Sequence, residues 1–179
     1  MSAQSNFYKV KFSGVFPAVL TPLNSDLTCN YEELFMHIND LLNAGCRGIV
    51  LFGTNGESTS FSVRERIEII KNIIQRGVNP ACIIVGSGCT SVDDTVCLTK
   101  ASVELKCSSV LIHPPFFFKN VPDEGIINFY REVIKHVSEP ELKVFLYHIP
   151  QVTCVPISLN VIERLMKEFP ETVIGIKVK

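Results

Sequence analysis

The sequence predicts an α/β fold with a parallel sheet, and three observations carry that expectation. Short apolar, β-branched runs alternate strictly with longer amphipathic stretches. The runs are apolar throughout instead of alternating with polar residues, as expected of parallel strands covered on both faces. They begin near Arg47, Ala81, Ser108, Leu142 and Thr172, roughly 30 residues apart, the length of one βα unit.

The elements follow in order. Residues 14–20 read as a strand ended by Thr21-Pro22, and 31–43 as a helix closed by Gly45. Residues 47–52 form the second strand. In the helix over 62–76, Ser62 is the expected N-cap with Glu65 at capping-box spacing, and Gly77 is the stop. A strand at 81–86 leads to a helix at 91–105 with Asp93 and Asp94 in its first turn, where carboxylates suit the helix dipole. A strand at 108–113 is stopped by Pro114-Pro115. The helix over 122–137 starts with acids and carries His136 near its end. Residues 142–149 form the fifth strand, 158–169 a helix and 172–177 a sixth strand. Pattern alone leaves two architectures open: a complete doubly wound sheet, or six of the eight units of a (β/α)8 barrel.

Composition restricts the function classes. The chain has 179 residues, 46% hydrophobic and 20% charged, as in ordinary globular proteins. Its net charge of −1 gives no electrostatic reason to expect nucleic acid or an anionic membrane as partner. No apolar run approaches the roughly 18 residues of a membrane span, and the first residues lack the apolar core of a secretory signal. The seven cysteines have neither C-x-x-C nor zinc-ligand spacing, so no metal site is expected. They read as free, buried thiols of a reducing cytoplasm.

Four segments could carry chemistry. Gly86-Ser87-Gly88 follows a strand, but the third glycine of a dinucleotide fingerprint is replaced by Ser91, and no Gly-Lys-Ser/Thr loop occurs. A tight turn is expected there, with no cofactor. Gly53-Thr54-Asn55-Gly56-Glu57-Ser58 follows the second strand and offers backbone N–H groups suited to a carboxylate or phosphate. Tyr147 stands near the C-terminal end of the fifth strand, the end where sites form in parallel α/β folds; His148, of opposite parity, should point outward. Lys177 ends an otherwise apolar strand and either reaches water or enters a pocket, where burial would favour its neutral, nucleophilic amine.

Together, Gly-Thr-x-Gly-Glu after the second strand, Tyr-x-x-Pro after the fifth and Gly-x-Lys in the sixth resemble one signature. It is that of the dihydrodipicolinate synthase / N-acetylneuraminate lyase family, the class I pyruvate-dependent aldolases. The opening Gly14-Val15-Phe16-Pro17-Ala18-Val19-Leu20-Thr21-Pro22 is similar to the family's first strand, and the likeness extends over residues 12–177. It implies a TIM barrel of which residues 12–179 supply about the first six βα units, with residues 1–11 as an N-terminal extension. By resemblance, Lys177 forms a Schiff base with pyruvate or another 2-keto acid, Tyr147 donates and accepts protons, and Thr54 relays them. Thr54 and Asn55 hold the substrate carboxylate, and Glu57 is structural. No cofactor is implied; a homo-oligomer, dimer or tetramer, is.

The departures shape the expected substrate. Where the lysine-pathway synthases carry an arginine shortly after the tyrosine, this chain has Val152; in the loop where they carry a tyrosine, it has Phe116-Phe117-Phe118. Both changes turn the expectation from 4-hydroxy-tetrahydrodipicolinate synthase, kept as the alternative, toward cleavage of a 2-keto-3-deoxy sugar acid or 4-hydroxy-2-keto acid. The chain stops two residues after Lys177, which would leave that residue on an open edge strand. A truncated, non-catalytic product of such a gene is therefore a further expectation, and a nucleotide-binding doubly wound domain a third.

Overall fold

The computed structural model describes residues 12–179. The proposed N-terminal extension, residues 1–11, lies outside them. Five strands form one parallel sheet: β1 (Ile49–Leu51), β2 (Ile83–Gly86), β3 (Ser109–Ile112), β4 (Val144–His148) and β5 (Val173–Val178). Each strand pairs only with its sequence neighbours, in the order β1-β2-β3-β4-β5. The segment before β1 lies on its far side, bridged at Ala18–Val50, with Val50 N–H donating to Pro17 O at 2.8 Å. Among the described residues this order never reverses, so they form no crevice of the kind found where strand order switches in a doubly wound sheet. The doubly wound reading is overturned; a partial (β/α)8 barrel fits.

The helices are α1 (Tyr31–Asn43), α2 (Val63–Gln75), α3 (Val92–Glu104), α4 (Asp123–Val137), the short α5 (Pro150–Thr153) and α6 (Leu159–Glu168). Their starts follow local chemistry. Asn30, Ser62, Ser91 and Ser158 each accept a backbone N–H from three residues on, and Ser62 with Glu65 completes a capping box. Helix α4 lacks a capping side chain; instead the Asp123 carboxylate accepts from Ser158 Oγ and Asn160 Nδ2 and ties its start to that of α6.

Two expectations need correction. Residues 14–20 form only a bridge beside β1, because Pro17 has no N–H to donate and Pro22 cuts the segment short. Residues 150–153 form α5, with Pro150 preset at its first position. The sequence pattern predicts no element there.

Two apolar layers explain why the strands are continuously apolar. The outer layer packs β-strand residues such as Ile49, Val85 and Leu146 against the helices. The inner layer joins Val50, Ile84, Leu111, Tyr147 and Ile149, with Phe12, Phe16, Ala18 and Phe145 against it. Two glycines permit close approaches in this construction. A Cβ on Gly86 would sit 2.1 Å from Phe52 O, so the β2 end can lie against the loop leaving β1. A Cβ on Gly175 would sit 2.8 Å from the Phe145 ring, so β5 accepts that ring only as glycine.

All seven cysteines are free, but only Cys29 and Cys89 are buried. Cys97 and Cys154 are exposed, which corrects the expectation of buried thiols throughout: Cys97 lies on the outward side of α3, and Cys154 is the left-handed residue that ends α5. No helix among the described residues is long and apolar enough to cross a membrane.

Candidate active site

The site is set by strand parity. In the β4–β5 register Tyr147 is opposite Lys177, so both side chains leave the same face of the sheet near the strands' C-terminal ends. His148, of opposite parity, faces the other layer, where its Nδ1 accepts the Ile157 N–H at 3.1 Å. Tyr147 is 3% exposed and belongs to the inner layer. Its hydroxyl lies 3.2 Å from Thr54 Oγ1 and 3.5 Å from Lys177 Nζ, and that nitrogen stands 4.5 Å from the Tyr147 ring centroid. Three residues separated by up to 123 positions in sequence number thus meet around one phenol oxygen.

Thr54 reaches the site from the turn that follows β1. Gly56 N–H donates to Gly53 O and Glu57 N–H to Thr54 O, closing the turn, while Thr21 Oγ1 donates to Gly56 O. Glu57 then adopts φ 51°, a left-handed conformation that starts a single 3₁₀ turn. Among the described residues, the N–H groups of Thr54 and Asn55 have no protein acceptor. They remain available donors, as the turn's sequence suggested.

A cleft of about 180 Å³ opens over Thr54 and Tyr147. Its lining includes Phe52, Thr54, Glu57, His113, Phe116, Tyr147 and Val152. Asn55 and Lys177 do not line it. Asn55 is exposed on the rim turn, and Lys177, half-buried, approaches Tyr147 from β5, the edge of the sheet. The loop after β3 is divided. Phe116 faces the cleft, whereas Phe117 and Phe118, 73% and 75% exposed, pack edge to face on the outside. Lys119 Nζ donates to Phe116 O and Thr153 O and pins the loop to α5.

The sequence pattern marks His113 only as the last residue of an apolar strand and gives it no functional role. Its imidazole contacts the Phe116 ring edge to face, and its Nδ1 lies 2.9 Å from Pro114 O. Burial holds its pKa below the ordinary value, and the neighbouring Arg66 guanidinium acts in the same direction. The available signal was a histidine at a strand's C-terminal end, where parallel α/β sites form.

Chemically, the arrangement brings a primary amine, a phenol and an alcohol into one chain of contacts beside unpaired backbone donors. Such a set can bind a carboxylate, attack a carbonyl and move a proton. Among the described residues no cluster of three or more His, Cys, Asp or Glu could hold a metal ion.

The fold and the cleft define the class: an incomplete (β/α)8 barrel with its candidate site at the C-terminal ends of the strands. Comparison with known proteins then fixes the family. Residues 11–179 match the dihydrodipicolinate synthetase family, and the chain belongs to it. A DapA-like lyase of Chloroflexus aurantiacus is 35% identical over 92% of this chain and 54% of its own length. The dihydrodipicolinate synthase of Agrobacterium tumefaciens superposes with TM-score 0.89 at 30% identity, over 93% of this chain and 58% of that one. The pyruvate complex of the Acinetobacter baumannii synthase gives 0.81 at 31% identity, over 92% and 55%. The chain therefore spans about half the length of the relatives it matches.

Proposed function

We propose that this chain carries the pyruvate-binding half of a Schiff-base lyase. In this reading Lys177 Nζ attacks the C2 carbonyl of a 2-keto acid, water leaves, and the protonated imine accepts the electrons of the neighbouring bond. For a 4-hydroxy-2-keto acid, removal of the 4-hydroxyl proton breaks C3–C4, releases an aldehyde and leaves an enamine. Protonation of that enamine at C3 and hydrolysis return pyruvate and the free amine. Tyr147 moves the protons with Thr54 as its relay, and the Thr54 and Asn55 N–H groups hold the substrate carboxylate.

The observation that carries this reading is the Tyr147 hydroxyl within 3.2 Å of Thr54 Oγ1 and 3.5 Å of Lys177 Nζ. The reading also takes support from a relative whose solved structure contains pyruvate. The substrate is a 2-keto-3-deoxy sugar acid or a related 4-hydroxy-2-keto acid. The cleft favours it over the semialdehyde of a synthase because Val152 and Phe116 present no cation and no hydroxyl for a second carboxylate. The complete protein works in the cytoplasm as a homo-oligomer.

Exchange of the pyruvate C3 protons in D₂O, followed by NMR, tests the reading. Enamine formation needs both the imine and a base. Wild type is expected to exchange, Tyr147→Phe to slow exchange by roughly a hundredfold or more, and Lys177→Ala to abolish it. Equal exchange in all three proteins would refute the assignment.

A further inference from the structure

We infer that His113 Nε2 is the hydrogen-bond acceptor by which this cleft selects hydroxylated 2-keto acids. The inference rests on the Schiff-base reading and adds a specificity-determining residue to it.

Four observations lead there. First, the Nδ1 contact at 2.9 Å is to a carbonyl oxygen, which only accepts, so Nδ1 carries the hydrogen. In a neutral imidazole the other nitrogen is then a bare acceptor. Second, the ring is held. It packs against Phe116, and a Cβ on Gly88 would lie 3.1 Å from both Cδ2 and Cε1, so the absence of that Cβ is what admits the imidazole. Third, among the described residues Nε2 has no protein partner, while His113 lines the cleft. Fourth, the cleft wall around it carries hydroxyls and one carboxylate, from Thr54, Ser58, Thr59 and Glu57, and no lysine or arginine.

A ligand entering this space past the imine carbon meets acceptors and hydroxyls. A second carboxylate would find no cation and would face Glu57. A carbon chain bearing hydroxyl groups satisfies the same wall, because each hydroxyl both donates and accepts. Burial disfavours a charged His113, which keeps Nε2 an acceptor near neutral pH.

The test is borohydride trapping of the full 179-residue chain, read by mass spectrometry as the half-saturating concentration of each keto acid. The probes are 2-keto-3-deoxygluconate, 2-oxohexanoate (the same carbon chain without hydroxyls) and pyruvate. Wild type should half-saturate at a lower concentration of 2-keto-3-deoxygluconate than of 2-oxohexanoate. His113→Phe, which keeps an aromatic ring against Phe116, should lose roughly tenfold for the hydroxylated acid alone. His113→Gln, which retains an acceptor, should recover most of that preference. Normal pyruvate trapping with no selective loss in His113→Phe overturns the inference and leaves the Schiff-base reading intact. If neither variant traps pyruvate, the wild-type comparison decides, and equal half-saturation by the two six-carbon acids overturns the inference. No pyruvate adduct on wild type overturns both.

Discussion

The role proposed for Tyr147 depends on position: its backbone is ordinary strand, its ring is buried in the inner layer with the Lys177 nitrogen over it, and its hydroxyl meets both Thr54 and Lys177. The thiols show the same dependence on place. Burial pushes Cys29 up to about 11 and Cys107 up to about 12, which leaves almost no thiolate at neutral pH. Ellman's reagent at pH 8 should therefore modify the exposed Cys97 and Cys154 first, and Cys29 and Cys107 only on unfolding; fast labelling of Cys107 in the native protein would contradict this. His113 gives a pH prediction. Its folded pKa lies below the ordinary 6.5, so near that pH the unfolded chain binds a proton that the folded chain refuses. Stability contributed by the neutral ring is present above that value and is lost as pH falls through and below it. Denaturant titrations at pH 7.5 and 5.5 should show a smaller loss in His113→Phe than in wild type. Thr54, Tyr147 and Lys177 were legible in the sequence because each stands in a short string with unusual neighbours. His113 was not, because its significance comes from Gly88 and Pro114 holding the ring at the cleft, and Gly88 is on another strand's loop.

Among the elements, helix starts were the most legible, since capping is local chemistry. Ser62→Ala removes the cap of α2 and half of its capping box, and should cost about 1 kcal/mol in a denaturant titration. The tie between α4 and the sheet was invisible in sequence. Tyr130, fully buried, donates its hydroxyl to Ile112 O at 2.8 Å, across the outer layer to the end of β3 just before His113. Tyr130→Phe leaves that carbonyl without this donor and should cost about 1 kcal/mol by the same measurement. A loss below about 0.3 kcal/mol would mean that the bond adds nothing net. The run over residues 14–20 has the apolar pattern of a strand but forms only a bridge, because Pro17 lacks the donor that a ladder needs.

At the level of the whole molecule, period and polarity established a parallel α/β chain, but strand order is not written in them. Sheet closure and a doubly wound sheet share the same βα period, and only pairing in strict chain order separates them. The open side of β5 has no partner strand among the described residues, and Ile176 and Val178 are exposed there. An edge of this kind is a template for pairing. The 179-residue polypeptide should accordingly self-associate with rising concentration in light scattering; a constant monomer mass over a hundredfold range would contradict it.

The central claim, that Lys177 is the carbonyl-attacking amine of this site, has a direct measurement: reduction by borohydride in the presence of pyruvate, followed by peptide mapping. Hydride addition to the imine carbon, with a proton from solvent on nitrogen, converts the adduct to a stable secondary amine. The account predicts a pyruvate-dependent adduct on Lys177 alone, and none in Lys177→Ala. An adduct on another lysine, or none on wild type, would contradict it.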